Sequence, residues 1–460
     1  MLGTALDLTA ARATAWWQAP AYLADDKAGS GAWPPGFVAS FRSGQYAATA
    51  VAPASIGSAD LAGLTRLSPT SFADMFDYSR ASSASCIGAD GALSTAATDT
   101  PRFDYTNGRR QLLLEGPSTN TIRNNTILGA VAGIIGSGGA LPTNWTSGGT
   151  GLTRTVIGTG TSKGVDYIDI RFHGTVADGN GAMLSFEGTQ EIAALAAERW
   201  SMSTWLALVG GSLGSATGLR LTFREGTSAG GFVLQTIGAD IKSLIGSALK
   251  RFGFSAPLAG GPTTAFVQPR ISVAATTSAV LDFTLRVGLP QCEKQAQSTS
   301  AIRTSGTAVT RAADDCRLSA AGAALLGRAA SGLAIKGSGV WGSSGAILGG
   351  AAGTRLLALN SGQTALGIGH ASPLVIAGSL TAPLPDFGIA GGWDATGRAG
   401  AYGGGVAQQD ASVIDADPSS ARLGRNDGTA AFAAGWYDEL AIYPFQPSSA
   451  ALSALSAAPT

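Results

Sequence analysis

Along most of the chain polar and apolar residues alternate with a period of two, the pattern of strands that bury one face. Two such runs meet at Asn107-Gly108. That dipeptide tolerates positive φ at both central positions of a type I′ turn. A hairpin is therefore predicted, with Tyr105 opposite Arg110 and Phe103 opposite Leu112. Phe103, Tyr105, Leu112 and Leu114 then share one face. Further alternating runs are Leu152–Ile157, Val165–Phe172, Trp200–Leu208, Leu219–Phe223, Arg270–Val273 and Leu281–Val287, with Gly, Pro and Asn between them. Residues 124–315 thus read as an all-β jelly roll or sandwich. Glu191–Arg199 is the one helix-competent window there, and it is short enough to be a loop.

Residues 316–460 form a second β unit, richer in Gly and Ala. Phe387 to Arg398 reads as strand, turn and strand around Trp393-Asp394, followed by Ala421–Arg425 and Gly435–Tyr443. Pro447-Ser448-Ser449 then carries the start signals of a short helix. Residues 1–75 are the least regular, with an amphipathic segment Leu6–Trp17 and a Trp33-Pro34-Pro35-Gly36 breaker. The expected division is a 1–75 attachment region, a 76–123 connector with the hairpin, a 124–315 module and a 316–460 sandwich. The length of 460 residues suits two to four domains.

Composition narrows the function classes. Gly is 65 of 460 residues, and charged residues are 13% against roughly 25% in average proteins. With 45% apolar residues the chain is not a disordered one. Its formal net charge of zero argues against nucleic acid as the main partner, because phosphate neutralisation needs a Lys/Arg excess. Three cysteines, Cys86, Cys292 and Cys316, have no metal-site spacing and are expected as free, buried thiols. The N-terminus shows neither a basic nor an apolar signal region, and no run reaches the ~20 residues of a membrane span. Synthesis in the cytoplasm is the expectation.

A resemblance rests on two pieces of the chain. The first is Ser79-Arg80-Ala81-Ser82, the Asp90-Gly91 turn, Pro101-Arg102-Phe103-Asp104 and the run from Leu112 through Glu115 to Asn120. The second runs from Pro290-Gln291-Cys292-Glu293 through Thr299-Ser300-Ala301-Ile302 to Thr310-Arg311-Ala312-Ala313-Asp314. They resemble the connector of phage-type tail-fibre and spike proteins. Across its length the chain is similar to the head spike fibre of gene transfer agents, phage-derived particles of some α-proteobacteria. Cys292 stands where that family has Leu. Between the two pieces, Leu141–Trp145 and Pro290-Gln291 resemble galactose-binding-like carbohydrate-binding modules. The closing Gly435–Tyr443 strand and its helix look like concanavalin A-like (laminin-G-like) lectin sandwiches. Tyr402-Gly403-Gly404-Gly405 replaces the Asp-Gly hairpin common in that family, so no metal-ligating Asp is carried over.

The resemblance implies a fibre fixed at its N-terminal end, with Trp16, Trp17 and Trp33 as anchors on a spike base or capsid vertex. It implies a homo-oligomer, a trimer or a pentamer at a five-fold vertex, carried on a virion-like particle and released by lysis. The partner would be capsular or surface polysaccharide of the recipient cell. Sugar binding needs a flat aromatic beside hydrogen-bonding groups. The candidates are Trp341, Trp393, Asp394 and Tyr402 in the C-terminal unit, and Trp145, Tyr167, Arg171 and His173 in the middle module.

Catalysis is weakly signalled. Gly226-Thr-Ser228-Ala-Gly230 matches a nucleophile elbow, but the segment after it is strand-like where the chemistry needs a helix. Gly158–Gly164 lacks the Ser/Thr of a phosphate loop. Asp438 and Glu439 are adjacent, so in a regular strand they point to opposite faces and cannot flank one glycosidic bond. Neither histidine has a metal-ligand cluster, and no acidic loop has calcium spacing. The expectation is an adhesion fibre with no cofactor and no metal. A capsule depolymerase and a purely structural spacer are the alternatives.

Overall fold

All six alternating runs between 152 and 287 are strands in the computed structural model, which describes residues 36–49, 67–428 and 431–459. The strands outrun the alternation: Leu152–Ser162, Val165–Thr175, Arg199–Ser212, Gly218–Gly226, Phe266–Ala274 and Val280–Glu293. Residues 191–198 are loop, and Ser228 lies in the hairpin loop after Gly218–Gly226. The hairpin at Asn107-Gly108 has the predicted register, Phe103 opposite Leu112. Its turn differs. Gly108 N–H donates to Tyr105 O at 2.9 Å, so Thr106 and Asn107 are the central pair, and Gly108 alone of the dipeptide takes positive φ, at 75°.

The chain forms two units, and the boundaries differ from those expected. The first is discontinuous: the described residues up to 90, 96–116, and the described residues from 312 onward. The second holds 91–95 and 117–311. The chain therefore leaves the first unit after Gly116 and returns to it at Ala312. Of the 1–75 region, Trp16, Trp17 and Trp33 lie outside the described residues. Its described part is not separate. Phe37–Ser40 pairs with Ala434–Tyr443, Ala39 opposite Leu440, and with Gln45–Thr49 on its other side. No local pattern can announce a pairing that spans nearly the whole chain.

The first unit stacks two sheets. Ten strands make one, with Phe37–Ser40, Ala434–Tyr443, Ser331–Trp341, Phe387–Asp394 and Gly397–Tyr402 adjacent in that order. Seven make the other, ending in Asp315–Leu318 paired with Phe76–Ser79. Between them lie Phe37, Phe76, Leu112, Leu318, Ile335, Leu357, Ile389, Tyr437 and Leu440. The outer face of the ten-stranded sheet carries small residues, Ala334, Ala390, Ala399 and Ala401. These let the helix Ser449–Leu455 pack through Ala451, Leu452 and Leu455. Its N-cap is Ser448, whose Oγ accepts from Ala451 N–H at 3.2 Å. At Gly388 a Cβ would stand 2.3 Å from Ser456 O, so this glycine admits the chain just after the helix.

The two resembling pieces meet inside this unit, around Asp314. Its Oδ1 accepts from Tyr78 Oη at 2.5 Å and Arg80 Nη1 at 3.1 Å. Its Oδ2 accepts from Glu115 N–H at 2.7 Å and from Arg102 Nη2. Arg102 Nη1 also donates to Glu115 Oε2 at 2.7 Å. The side chains of Arg80, Arg102 and Asp314 are fully buried. Arg80, Arg102, Glu115 and Asp314, drawn from both quoted pieces, are thus an internal ionic knot rather than a surface.

The second unit is a sandwich of a seven-stranded and a five-stranded sheet. Across the seven-stranded sheet Leu152–Ser162, Val165–Thr175, Val280–Glu293 and Arg199–Ser212 are successive neighbours. The five-stranded order is Thr146–Gly148, Ala182–Ser185, Phe266–Ala274, Gly218–Gly226 and Phe232–Ile237. Ile168, Ile170, Phe172 and Phe283 meet Leu219, Leu221, Phe223, Ile271 and Val273 in the core. A two-stranded ladder, Ser118–Asn120 against Val309–Arg311, brings the first and last residues of the insertion together, Ser118 opposite Arg311. All three cysteines are free and buried. Among the described residues no helix is long and apolar enough to cross a membrane.

Candidate carbohydrate-binding surfaces

Period-two geometry decides which sequence candidates face a ligand. Trp393 is 2% exposed and belongs to the core of the first unit, so its ring is not open to a sugar. Tyr402 packs against the same core from the partner strand, opposite Ile389, whereas Trp393 is opposite Arg398. The two lie at opposite ends of one hairpin, about 13 Å apart at the strand rise, and do not share a rim. Asp394 caps the turn between them, accepting from Thr396 N–H at 2.7 Å and Thr396 Oγ1 at 2.6 Å. Trp341 is half-buried at the end of its strand, opposite Ala434.

In the second unit Trp145 is also core, edge-on to Phe186, and its Nε1 donates to Asn124 O at 2.8 Å. Tyr167, Arg171 and His173 do share the outward face of Val165–Thr175, but Arg171 is engaged and the Tyr167 ring is covered by a guanidinium, while His173 Nδ1 is closed off without a partner. Arg171 makes a two-pronged pair with Asp282, at 2.8 and 2.7 Å. Arg286 pairs with Asp169 and lies 3.7 Å from the centre of the Tyr167 ring. This face is a lattice of matched charges.

The opposite sheet differs. The core takes Leu219, Leu221 and Phe223, so Arg220, Thr222 and Arg224 point outward. The neighbouring strand places Gln268, Arg270 and Ser272 beside them, Thr222 opposite Arg270 and Arg224 opposite Gln268. Thr222 and Gln268 are covered by their neighbours, Gln268 Nε2 donating to Glu187 O at 2.6 Å, so the two arginines of the first strand, Arg270 and Ser272 are what remain partly exposed. Thr222 and Ser272 hydroxyls are 3.1 Å apart, and Gln235 Nε2 donates to Ser272 Oγ at 3.3 Å. Phe232, 62% exposed, closes one margin, with the Arg224 guanidinium 5.6 Å from its ring centre. Burial, aided by the positive charge of Arg224, lowers the Arg270 guanidinium to about 10. Burial lowers Arg224 as well. Sequence reading found both strands but used only their apolar positions. The usable signal was the polar phase, Arg-x-Thr-x-Arg beside Gln-x-Arg-x-Ser.

The first unit has a depression of about 270 Å³ lined by Ser344, Arg355, Asn360, His370, Pro373 and Val375. Its His370 wall is fixed in place: Asp415 accepts from His370 N–H at 2.6 Å and Ala371 N–H at 2.7 Å. Burial raises the Asp415 carboxyl, and the backbone donors outweigh it, leaving a net lowering. His370 Nδ1 is closed off without a hydrogen-bond partner. Among the described residues no three His, Cys, Asp or Glu side chains cluster as metal ligands.

No protein-family model matches the chain. No curated protein matches it either. Among solved structures, the xylan-binding CBM22-1 domain from Paenibacillus barcinonensis Xyn10C aligns at 13% identity and TM-score 0.24, over 39% of this chain and 94% of that one. The tripod from the baseplate of bacteriophage Tuc2009 aligns at 9% identity and TM-score 0.25, covering 51% and 73%. The active domain of bacteriophage CBA120 tailspike protein 4 aligns at 12% identity and TM-score 0.19, covering 34% and 20%.

Proposed function

We propose that this chain is a receptor-binding fibre subunit of a phage-like particle, the head spike of a gene transfer agent, which holds recipient-cell capsular or surface polysaccharide without cleaving it. The observation that carries the reading is the outward face of the five-stranded sheet. The partly exposed hydroxyl of Ser272, amide of Gln235 and guanidiniums of Arg220, Arg224 and Arg270 stand in neighbouring rows beside the open ring of Phe232. A pyranose offers an apolar face to such a ring and hydroxyls to such polar groups. Weak contact at one face is strengthened when several copies act together, as in a homotrimer or in a pentamer at a five-fold vertex.

The test uses the full chain displayed in many copies on beads, mixed with encapsulated and capsule-free recipient cells. Retention of recipient cells above that of bare beads is expected, of encapsulated cells alone if the capsule is bound and of both kinds if the polysaccharide beneath it is. Adsorption no greater than that of bare beads would leave only a structural spacer, and oligosaccharides released from purified capsule would replace adhesion by depolymerisation.

A further inference from the structure

The five strands of the second unit's smaller sheet contain a single acid, Glu225, and it points into the core. There it accepts from Ala259 N–H at 3.0 Å, Gly260 N–H at 2.9 Å and Thr264 Oγ1 at 2.8 Å. The outward face therefore has three arginines and no carboxylate of its own. Arg270 sits between the other two. It is opposite Thr222, so Arg220 and Arg224 are its diagonal neighbours on the next strand, within reach of long side chains.

Among the described residues only Arg220 of the three approaches an acid, Asp240 of the adjoining loop, at 3.9 Å. Arg270 donates to Gln268 Oε1 and makes no ion pair among the described residues. Arg224 Nη2 donates to Gly230 O at 3.1 Å, while its Nη1 is closed off from solvent with no partner. On the outward face of the other sheet Arg171 and Arg286 are each matched to an aspartate, Asp282 and Asp169. Two half-buried like charges without a counter-ion destabilise a fold, and buried donors are normally satisfied. An anionic oxygen reaching the partly exposed faces of these guanidiniums would supply the missing counter-charge, and a guanidinium fork suits carboxylate and sulfate geometry.

We propose, resting on the reading that this face binds sugar, that its ligand is an anionic polysaccharide whose carboxylate or sulfate groups sit between Arg224 and Arg270. Ser272 and Gln235, both partly exposed, would then meet sugar hydroxyls, and Phe232 the apolar side of a neighbouring ring.

The experiment is affinity electrophoresis of the full chain through gels holding polygalacturonate, dextran sulfate or neutral dextran. Retardation by an anionic polymer and none by dextran is expected, and the two acidic gels separate carboxylate from sulfate as the preferred group. Arg224→Gln and Arg270→Gln should each weaken the acidic interaction by about tenfold, the worth of one charge-assisted contact. Arg286→Gln removes an equal charge from the other sheet and should change nothing. Arg224→Gln should melt no lower than the parent chain without ligand, because it removes an unmatched cation, which separates lost binding from lost folding.

Acidic binding that survives both substitutions, or that falls equally with Arg286→Gln, overturns the proposal. Recipient capsule held equally by parent and both variants refutes the anionic subsite and leaves adhesion standing. A chain that retains no polysaccharide at all refutes both.

Discussion

Asp314 is the residue on which the first unit's interior charges depend. Four donors converge on its two oxygens, and two of them are guanidiniums with no route to water. Removing one partner from a buried set leaves the rest uncompensated, at about 3–5 kcal/mol. Asp314→Asn is expected to lower unfolding free energy by that order in urea titration, far more than Asp282→Asn in its exposed pair. Glu439 gives a pH signature instead. Burial pushes its carboxyl up to about 7 from an ordinary 4.5, against the opposing pull of Lys336 and Arg42 and with help from Asp438. A carboxyl that holds its proton in the fold contributes most below pH 4.5, and that contribution is lost as pH rises through 7. Glu439→Gln should therefore flatten the pH dependence and gain on the order of 3 kcal/mol at pH 8, read from denaturation at pH 5 and 8. At this scale the sequence was an uneven guide. Arg80, Arg102, Glu115 and Asp314 stand out in the motifs, yet their partnership needs four distant segments at once. Trp145 and Trp393 look like sugar platforms in one dimension, because a lone Trp reads the same whether it ends in a core or on a rim.

Elements were the most legible level. Alternation located the long strands of the second unit, and Asn107-Gly108 the hairpin with its register. What alternation cannot say is which phase faces the core when both phases hold functional groups. In Gly218–Gly226 the apolar phase announced packing, so Arg220 and Arg224 went unread. The turn of the hairpin was missed because Asn-Gly suits several turn types and the flanking strands select among them. The helix at the C-terminal end yields a test of close packing. Gly388→Val would press a side chain against Ser456 O and the chain after it. It is expected to free the helix from the sheet, seen as faster proteolysis beyond Pro447 and a Tm lowered by several degrees.

At the scale of the molecule the expected boundaries failed where contacts are least local. Phe37–Ser40 closes a sheet begun at the other end of the chain, and the connector supplies strands to both sheets of the first unit. The all-β class survived because it depends on pattern alone. The second unit is an insertion whose two ends are paired, Thr119 opposite Thr310, and Glu115 O still accepts from Asp314 N–H at 3.0 Å on the first unit's side. Deleting 117–311 and joining Gly116 to Ala312 through a few glycines is expected to leave the first unit folded, with the near-ultraviolet dichroism of its packed aromatics retained. Aggregation of the shortened chain would show that the insertion is needed for folding.

That three-pair seam has an evolutionary reading as well. A stretch whose ends are neighbours can be traded by recombination for any other stretch with neighbouring ends, without re-threading the scaffold. If the inserted module sets which cells are recognised, tropism can change wholesale in one genetic event while Asp314 and its arginines hold the rest of the molecule constant.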